Sequence, residues 1–240
     1  MSGTSPIEQQ ASGDASAPPR VISAPGREKP AAGDSLDYEV IGGVPFCFYR
    51  FTDRSFIEHL RAICLAAEEG ILELPVAEHW DREQSDQEMQ QFGTTSRFPY
   101  YNMLLLRDTA MIYVFRAIRR CYMTVAERQR LDQSPVWVQC WENVLRRDGH
   151  LHKHAHNFFM HGHLTVATPG SHTGYEFDTG EAIEIINEPG LLTLIGQAGV
   201  MHYTTPNPSD QPRISLAFDL CRAPQMNNET LNRHTFIPLI

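Results

Sequence analysis

The chain of 240 residues has no long apolar run and no excess of basic charge. Its apolar stretches, such as residues 191–195, are far shorter than the ~20 residues that a membrane-spanning helix needs. The N-terminus also lacks the apolar core of a secretion signal. The formal net charge of -9 is unfavourable for sequence-independent binding to a polyphosphate. These absences predict a cytoplasmic protein that binds neither a membrane nor nucleic acid.

Cysteine is scarce and irregularly spaced. The five cysteines are an odd number, and no two of them form a Cys-x-x-Cys pair. This pattern predicts reduced, buried thiols in preference to a disulfide framework or a cysteine metal site. The cysteines are Cys47, Cys64, Cys121, Cys140 and Cys221.

The first part of the chain has almost no large apolar side chains. Residues 1–36 are rich in Ser, Ala, Gly and Pro, and little apolar burial is available there to offset the entropy of ordering the chain. We therefore expect a disordered N-terminal arm over residues 1–36 and a single domain over residues 37–240. This length suits one well-buried core.

Two segments have the periodicity of amphipathic helices. Residues 55–69 place apolar side chains at helical spacing, with Gly70 as the expected stop. Residues 109–131 predict a second helix whose core face carries Ile112, Phe115, Ile118 and Tyr122, while its arginines form a solvated face. The polar residues 78–102 between them predict a surface connection or a loop that covers a substrate.

The remaining pattern is typical of β-strands. Residues 38–41 and 44–49 flank a Gly-Gly turn, and short strands separated by Pro and Gly turns follow Pro135. We therefore predict an α+β fold, a sandwich or jelly-roll with supporting helices on one face. The later strands are expected at residues 136–144, 161–167, 174–177, 183–186, 190–195 and 213–220.

Histidine is concentrated in one short segment. His150, His152, His154 and His156 occupy every second position, so in an extended chain all four project from one face. Four imidazoles at this spacing are hard to bury as ordinary packing and favour a metal site. Spacing alone allows 150/152, 152/154 or 154/156 as the close pair of ligands.

A set of short motifs over residues 137–220 resembles the small bacterial 2-oxoglutarate and Fe(II) dependent oxygenases, which are relatives of the prolyl hydroxylases. The resemblance is carried by Trp141-Glu142-Asn143-Val144, Gly149, His154-Ala155-His156, Gly162, Gly190-Leu191-Leu192-Thr193-Leu194-Ile195, Met201-His202 and Arg213-Ile214-Ser215-Leu216-Ala217-Phe218. It implies a double-stranded β-helix core with Fe(II) and 2-oxoglutarate as cofactors.

The resemblance also assigns roles to residues. It implies that His154 and His202 bind the iron, and that Arg213 and Ser215 bind the far carboxylate of 2-oxoglutarate. Asn143 is expected near the site as a further cofactor-binding residue, and Trp141 is expected near the site. His156 stands where the family has a carboxylate ligand, so two arrangements remain open: a set of three histidines, or two histidines completed by water or another group.

The implied reaction is hydroxylation of an unactivated C–H bond in a small-molecule or carrier-bound substrate, with consumption of molecular oxygen and release of succinate and CO2. One alternative is a cupin-type dioxygenase or isomerase, because Gly199-Val200-Met201-His202 resembles part of the second cupin motif. Another is a metal-binding protein of this fold without turnover. The string His79-Trp80-Asp81 is interpreted as a decoy, since it lies in the polar connection, away from the distal histidine.

Overall fold

The computed structural model describes residues 18–25, 33–77, 93–226 and 235–240. Its helices are α1 (Arg54–Leu72), α2 (Thr109–Gln129) and the single turn α3 (Ala223–Met226), and 3-10 helices lie at Thr94–Tyr100 and Met103–Leu105. Its strands are β1 (Arg20–Ile22), β2 (Ser35–Ile41), β3 (Val44–Arg50), β4 (Val136–Leu145), β5 (Met160–Ala167), β6 (His172–Glu176), β7 (Ala182–Ile186), β8 (Leu191–Ile195), β9 (Met201–Thr204), β10 (Arg213–Arg222) and β11 (Ile237–Pro238).

The strands form two sheets. The larger sheet has the order β11-β4-β10-β5-β8-β3-β2, and the smaller has the order β1-β7-β6-β9. Between β4 and β10 the chain crosses repeatedly from one sheet to the other, because β6, β7 and β9 belong to the smaller sheet while β5, β8 and β10 belong to the larger. The predicted mixture of helices and sheets is thereby confirmed.

Each inner strand of the larger sheet separates two environments. On β10, Leu216 and Phe218 belong to an apolar cluster that also contains Leu60 of α1 and Val114 of α2. Side chains alternate across a strand, so residues 213, 215, 217 and 219 point to the opposite face. A second apolar cluster combines residues of both sheets and shows that this opposite face meets the smaller sheet; its members include Phe46, Phe48, Tyr175, Ile183 and Ile195.

The helix predictions are confirmed in outline and corrected in two details. Gly70 does not end α1, which continues to Leu72 because Ile71 is buried in the core. On α2, Ile118 and Tyr122 are buried as predicted, but Ile112 is 57% exposed. In the first half of α2 the fully buried positions are Met111 and Val114, in place of the predicted Ile112 and Phe115.

The first hairpin follows the sequence expectation. β2 and β3 pair in antiparallel register from Ile41 opposite Val44, and Gly42 and Gly43 form the two-residue turn between them. Their φ angles of 58 and 83 degrees lie in the region that glycine adopts without a steric penalty.

Part of the predicted N-terminal arm is structured. Residues 20–22 form β1, which pairs in parallel with β7, and Ala24 is buried. β2 begins at Ser35, within the range predicted as an arm. These residues of the predicted arm are therefore paired in strands. Most of the remaining arm lies outside the described residues.

The predicted strands after Pro135 are all present, and β9 and β11 are additional. The second part of the 78–102 connection is not a plain surface loop, because Thr94, Ser96, Arg97 and Pro99 are buried in a 3-10 helix. The string at residues 79–81 lies outside the described residues. All five cysteines are unpaired and buried, as predicted. Among the described helices, none is both long enough and apolar enough to span a membrane.

The close packing of the central strands predicts opposite effects of one substitution at two glycines. A Cβ at Gly162 on β5 would lie 2.2 Å from the carbonyl oxygen of Thr193, whereas a Cβ at Gly70 on α1 meets nothing within 4 Å. Gly162→Ala is expected to lower the free energy of unfolding by about 1–3 kcal/mol. Gly70→Ala is expected to raise it by about 0.5–1 kcal/mol, because alanine restricts the unfolded chain. Urea denaturation measures both, and equal effects would contradict this packing.

Candidate metal centre

Backbone pairing brings the two halves of the histidine cluster together. Residues 150–159 do not form a regular strand, but His154 makes an isolated antiparallel bridge with His202 of β9. The His154 N–H donates to the His202 carbonyl at 3.0 Å, and the His202 N–H donates to the His154 carbonyl at 2.8 Å. Ring centroids of these two residues are 4.3 Å apart.

His156 completes the cluster. One ring nitrogen from each of His154, His156 and His202 lies within 4.8 Å of the other two, a spacing that allows a shared metal ion. His150 and His152 are not part of this group and instead contact each other, with ring centroids 4.5 Å apart. Of the three close pairs allowed by spacing, the structure therefore gathers 154/156.

The hydrogen bonds of the three rings share one pattern. The Nδ1 atoms of His154 and His202 face the backbone carbonyls of His152 and Val200, at 2.7 and 3.1 Å. The Nδ1 of His156 faces a carboxylate oxygen of Asp219 at 2.5 Å. Each Nδ1 is thus a proton donor, which leaves each Nε2 lone pair free for a metal ion.

Burial favours the neutral form of His154 and His202. Burial lowers the pKa of His154 to about 4, with a smaller contribution from the charge of His156. Burial likewise holds the pKa of His202 well below its usual value. Neutral imidazole is the form that binds a metal, so neither residue needs to lose a proton near neutral pH.

Two residues beside the cluster were not identified from the sequence. Asp219 lies on β10, in the same alternation as Arg213 and Ser215, and an aspartate between the apolar residues 216–218 and 220–221 was the available signal. His161 on β5 has ring centroids 5.0 Å from His156 and 4.8 Å from His202. Both ring nitrogens of His161 are buried and find no hydrogen-bond partner among the described residues.

Arg213 lies deep in the space between the sheets. It is 1% exposed, and its Nε and Nη1 atoms have no hydrogen-bond partner in the described part of the chain. Burial lowers the pKa of its guanidinium to about 10, so the group is still charged at neutral pH. A buried cation without hydrogen-bond partners is costly, and an anionic ligand would offset that cost.

Tyr175 connects Arg213 with the histidines. It pairs with His202 across β6 and β9, and the two rings stack at a centroid distance of 6.3 Å. The Tyr175 hydroxyl and the Arg213 guanidinium are close enough for each to influence the pKa of the other. The Tyr175 hydroxyl is buried and, within the ranges described, has no hydrogen-bond partner. It offers a second donor toward an anion, and sequence reasoning did not identify it.

The other predicted site residues lie on the same face of the larger sheet. Ser215 is buried opposite Asn143 in the pairing of β10 with β4, and the Asn143 Nδ2 donates to the Ser215 hydroxyl at 3.4 Å. The Thr95 hydroxyl in turn donates to the side-chain Oδ1 of Asn143 at 2.5 Å. Trp141 stacks on His156 with an interplanar angle of 14 degrees. The residues predicted from the sequence thus lie together in the space between the two sheets.

Comparison with known proteins supports the fold. No family model and no curated protein matches the chain. Among solved structures, a prolyl-4-hydroxylase from Pseudomonas putida has a TM-score of 0.51 and 13% identity, covering 74% of this chain and 88% of that one. The likeness confirms, at the level of the fold, the resemblance inferred from the sequence.

Two further solved structures are similar at lower scores. A 2OG-Fe(II) oxygenase family oxidoreductase from Burkholderia pseudomallei has a TM-score of 0.47 and 11% identity, covering 86% of this chain and 96% of that one. SnoK, a non-heme alpha ketoglutarate dependent carbocyclase from nogalamycin biosynthesis, has a TM-score of 0.48 and 10% identity, covering 81% and 92%.

Burial of neutral imidazoles predicts a pH-dependent stability of the metal-free protein. Burial lowers the pKa values of His154 and His163 to about 4 and about 3 in the folded chain. Unfolded histidines titrate near ~6.5, so below that pH the unfolded chain binds protons that the folded chain does not. The free energy of unfolding is expected to fall by on the order of 1–2 kcal/mol per buried histidine between about pH 6.5 and 5.

Urea unfolding of the metal-free protein at several pH values measures this loss. His161→Leu removes one fully buried ring whose pKa burial holds well below its usual value, so the variant is expected to show a shallower dependence on pH. Equal slopes for this variant and the wild type would contradict the assignment of neutral, buried imidazoles.

Proposed function

We propose that the chain is an Fe(II)- and 2-oxoglutarate-dependent oxygenase that hydroxylates an unactivated C–H bond of a small-molecule or carrier-bound substrate, with release of succinate and CO2. The observation that carries this proposal is the presence, in one interior, of three converging imidazoles and a buried guanidinium without hydrogen-bond partners in the described chain. The first group suits a divalent transition metal and the second suits an anionic cosubstrate.

The donor set fits Fe(II). His154, His156 and His202 each direct an Nε2 lone pair away from a fixed Nδ1 hydrogen bond. Imidazole binds Fe(II) readily, and three protein ligands leave other coordination positions available for a cosubstrate and dioxygen. When bound, Fe(II) with 2-oxoglutarate and dioxygen supplies the oxidising power for C–H hydroxylation.

The chain around Arg213 fits the far carboxylate of 2-oxoglutarate. The guanidinium can donate two parallel hydrogen bonds, and its fixed charge suits a buried carboxylate. The Tyr175 hydroxyl is a further donor nearby, and Ser215 lies two positions along β10. The role of these residues is to bind and orient the cosubstrate and to exclude water from the metal centre.

The strand order supports a double-stranded β-helix. In the larger sheet the inner strands follow the order β4-β10-β5-β8, and in the smaller sheet the order β7-β6-β9 is extended by the His154 bridge. Along the chain, successive strands thus alternate between the two sheets, as a jelly-roll requires. We infer that residues 37–240, with β1 added at the edge, form one catalytic domain, and unpaired cysteines support a location in the reducing cytoplasm.

Anaerobic titration tests the cofactor assignment directly. Wild-type protein with Fe(II) is expected to develop the visible charge-transfer band of a chelated 2-oxo acid when 2-oxoglutarate is added. Arg213→Ala should weaken 2-oxoglutarate binding by roughly 30-fold or more, because a buried charge pair contributes about 2–5 kcal/mol. Arg146→Ala is the matched control, since Arg146 lies at the surface and pairs with Glu68.

A monocarboxylate sharpens this test. 2-Oxobutyrate has the chelating group but lacks the far carboxylate, so the wild type should discriminate strongly against it. Arg213→Ala should bind both acids with similar, weak affinity. Failure of the wild type to show the band or to form succinate would overturn the proposal in favour of a cupin-type enzyme or a metal-binding protein without turnover.

A further inference from the structure

Asp219 is a buried carboxylate whose single polar side-chain partner among the described residues is His156. Its side chain is 2% exposed, and its Oδ1 accepts from His156 Nδ1 at 2.5 Å. Within the described ranges no arginine or lysine forms an ion pair with Asp219. Burying a carboxylate away from a full positive charge costs several kcal/mol, so this placement needs a compensating charge close to the His156 ring.

His156 differs from the other two histidines of the cluster in its Nδ1 partner. His154 and His202 are held by backbone carbonyls two residues before each of them. His156 is held by a side chain of β10, at a separation of 63 residues along the chain. A carboxylate partner increases the electron density of an imidazole more than a carbonyl does, and so strengthens its bond to a metal.

The carboxylate partner of His156 matters because of the net charge of the metal ligands. Two imidazoles and one carboxylate carry one negative charge, whereas three neutral imidazoles carry none. Asp219 returns one negative charge to the centre from behind His156. Its oxygens do not belong to the group of atoms that lie within 4.8 Å of one another, so the charge stands one ring away from the ion position.

We propose that Asp219 is a positioning residue that substitutes, through the His156 ring, for the carboxylate missing from the ligand set. The inference rests on the proposed metal centre at His154, His156 and His202. Asp219 fixes the proton of His156 on Nδ1, directs Nε2 toward the ion and supplies the countercharge. The strand that carries Arg213 for the cosubstrate thus also carries the charge balance of the metal.

Metal affinity without cosubstrate tests this role. Co(II) is the probe, because its visible absorption reports both the affinity and the ligand geometry. Asp219→Asn keeps the size of the side chain and removes its charge, and it is expected to lower Co(II) affinity by about 10–100-fold and to shift the absorption bands. Asp210→Asn is the matched control, since Asp210 is an exposed partner of Arg147 and should leave Co(II) affinity unchanged.

A second background separates this role from a merely structural one. In the variant His156→Asp the ligand set regains a carboxylate. Adding Asp219→Asn to this variant should lower its Co(II) affinity by less than about 3-fold. That loss is well below the one expected when Asp219→Asn is made in the wild type. An equal loss in both backgrounds would overturn the proposal, as would an unchanged affinity of Asp219→Asn in the wild type. A larger loss for Asp219→Asn than for His156→Ala would make Asp219 itself a ligand, which also overturns it.

The Co(II) experiments can fail or succeed independently of the proposed oxygenase reaction. If wild-type protein binds Co(II) with the expected coupling but forms no 2-oxoglutarate complex, the oxygenase proposal fails and the role of Asp219 stands. If wild-type protein forms succinate while Asp219→Asn binds Co(II) as tightly as the wild type, the role of Asp219 fails and the oxygenase proposal stands.

Discussion

The antiparallel bridge between His154 and His202 is the contact on which the candidate site depends. Its two backbone hydrogen bonds place one histidine from an irregular segment beside another from β9, and His156 follows two positions later. Backbone pairing thus sets the spacing of these imidazoles. The remaining histidine hydrogen bonds then only need to select the tautomer of each ring.

The polar interior between the sheets has an energetic cost that the apolar clusters must offset. Arg213, Asp219, Tyr175 and His161 are buried there, and each makes few or no hydrogen bonds within the described chain. Packing of α1 and α2 against the opposite face of the larger sheet supplies the compensating apolar burial. A ligand that satisfies the buried groups would stabilise the folded state further.

Local sequence patterns were sufficient for most of the fold. Helical spacing predicted α1 and α2, and alternation with Pro and Gly turns predicted the strands from β2 to β8 and β10. These patterns did not predict the elements whose formation depends on pairing or packing with distant parts of the chain. β1 and β11 are short edge segments with little periodicity, and Gly70 remains helical because Ile71 packs into the core.

The sequence by itself determined which side chains could form a site, because residue spacing and short motifs are local properties. The spacing indicated the histidines at every second position, and the family resemblance indicated His202, Arg213 and Ser215. Only the tertiary structure decided that His154 and His156 join His202 while His150 and His152 do not. It alone placed Asp219 behind His156 and Tyr175 near Arg213, because contacts between distant strands depend on sheet order and register.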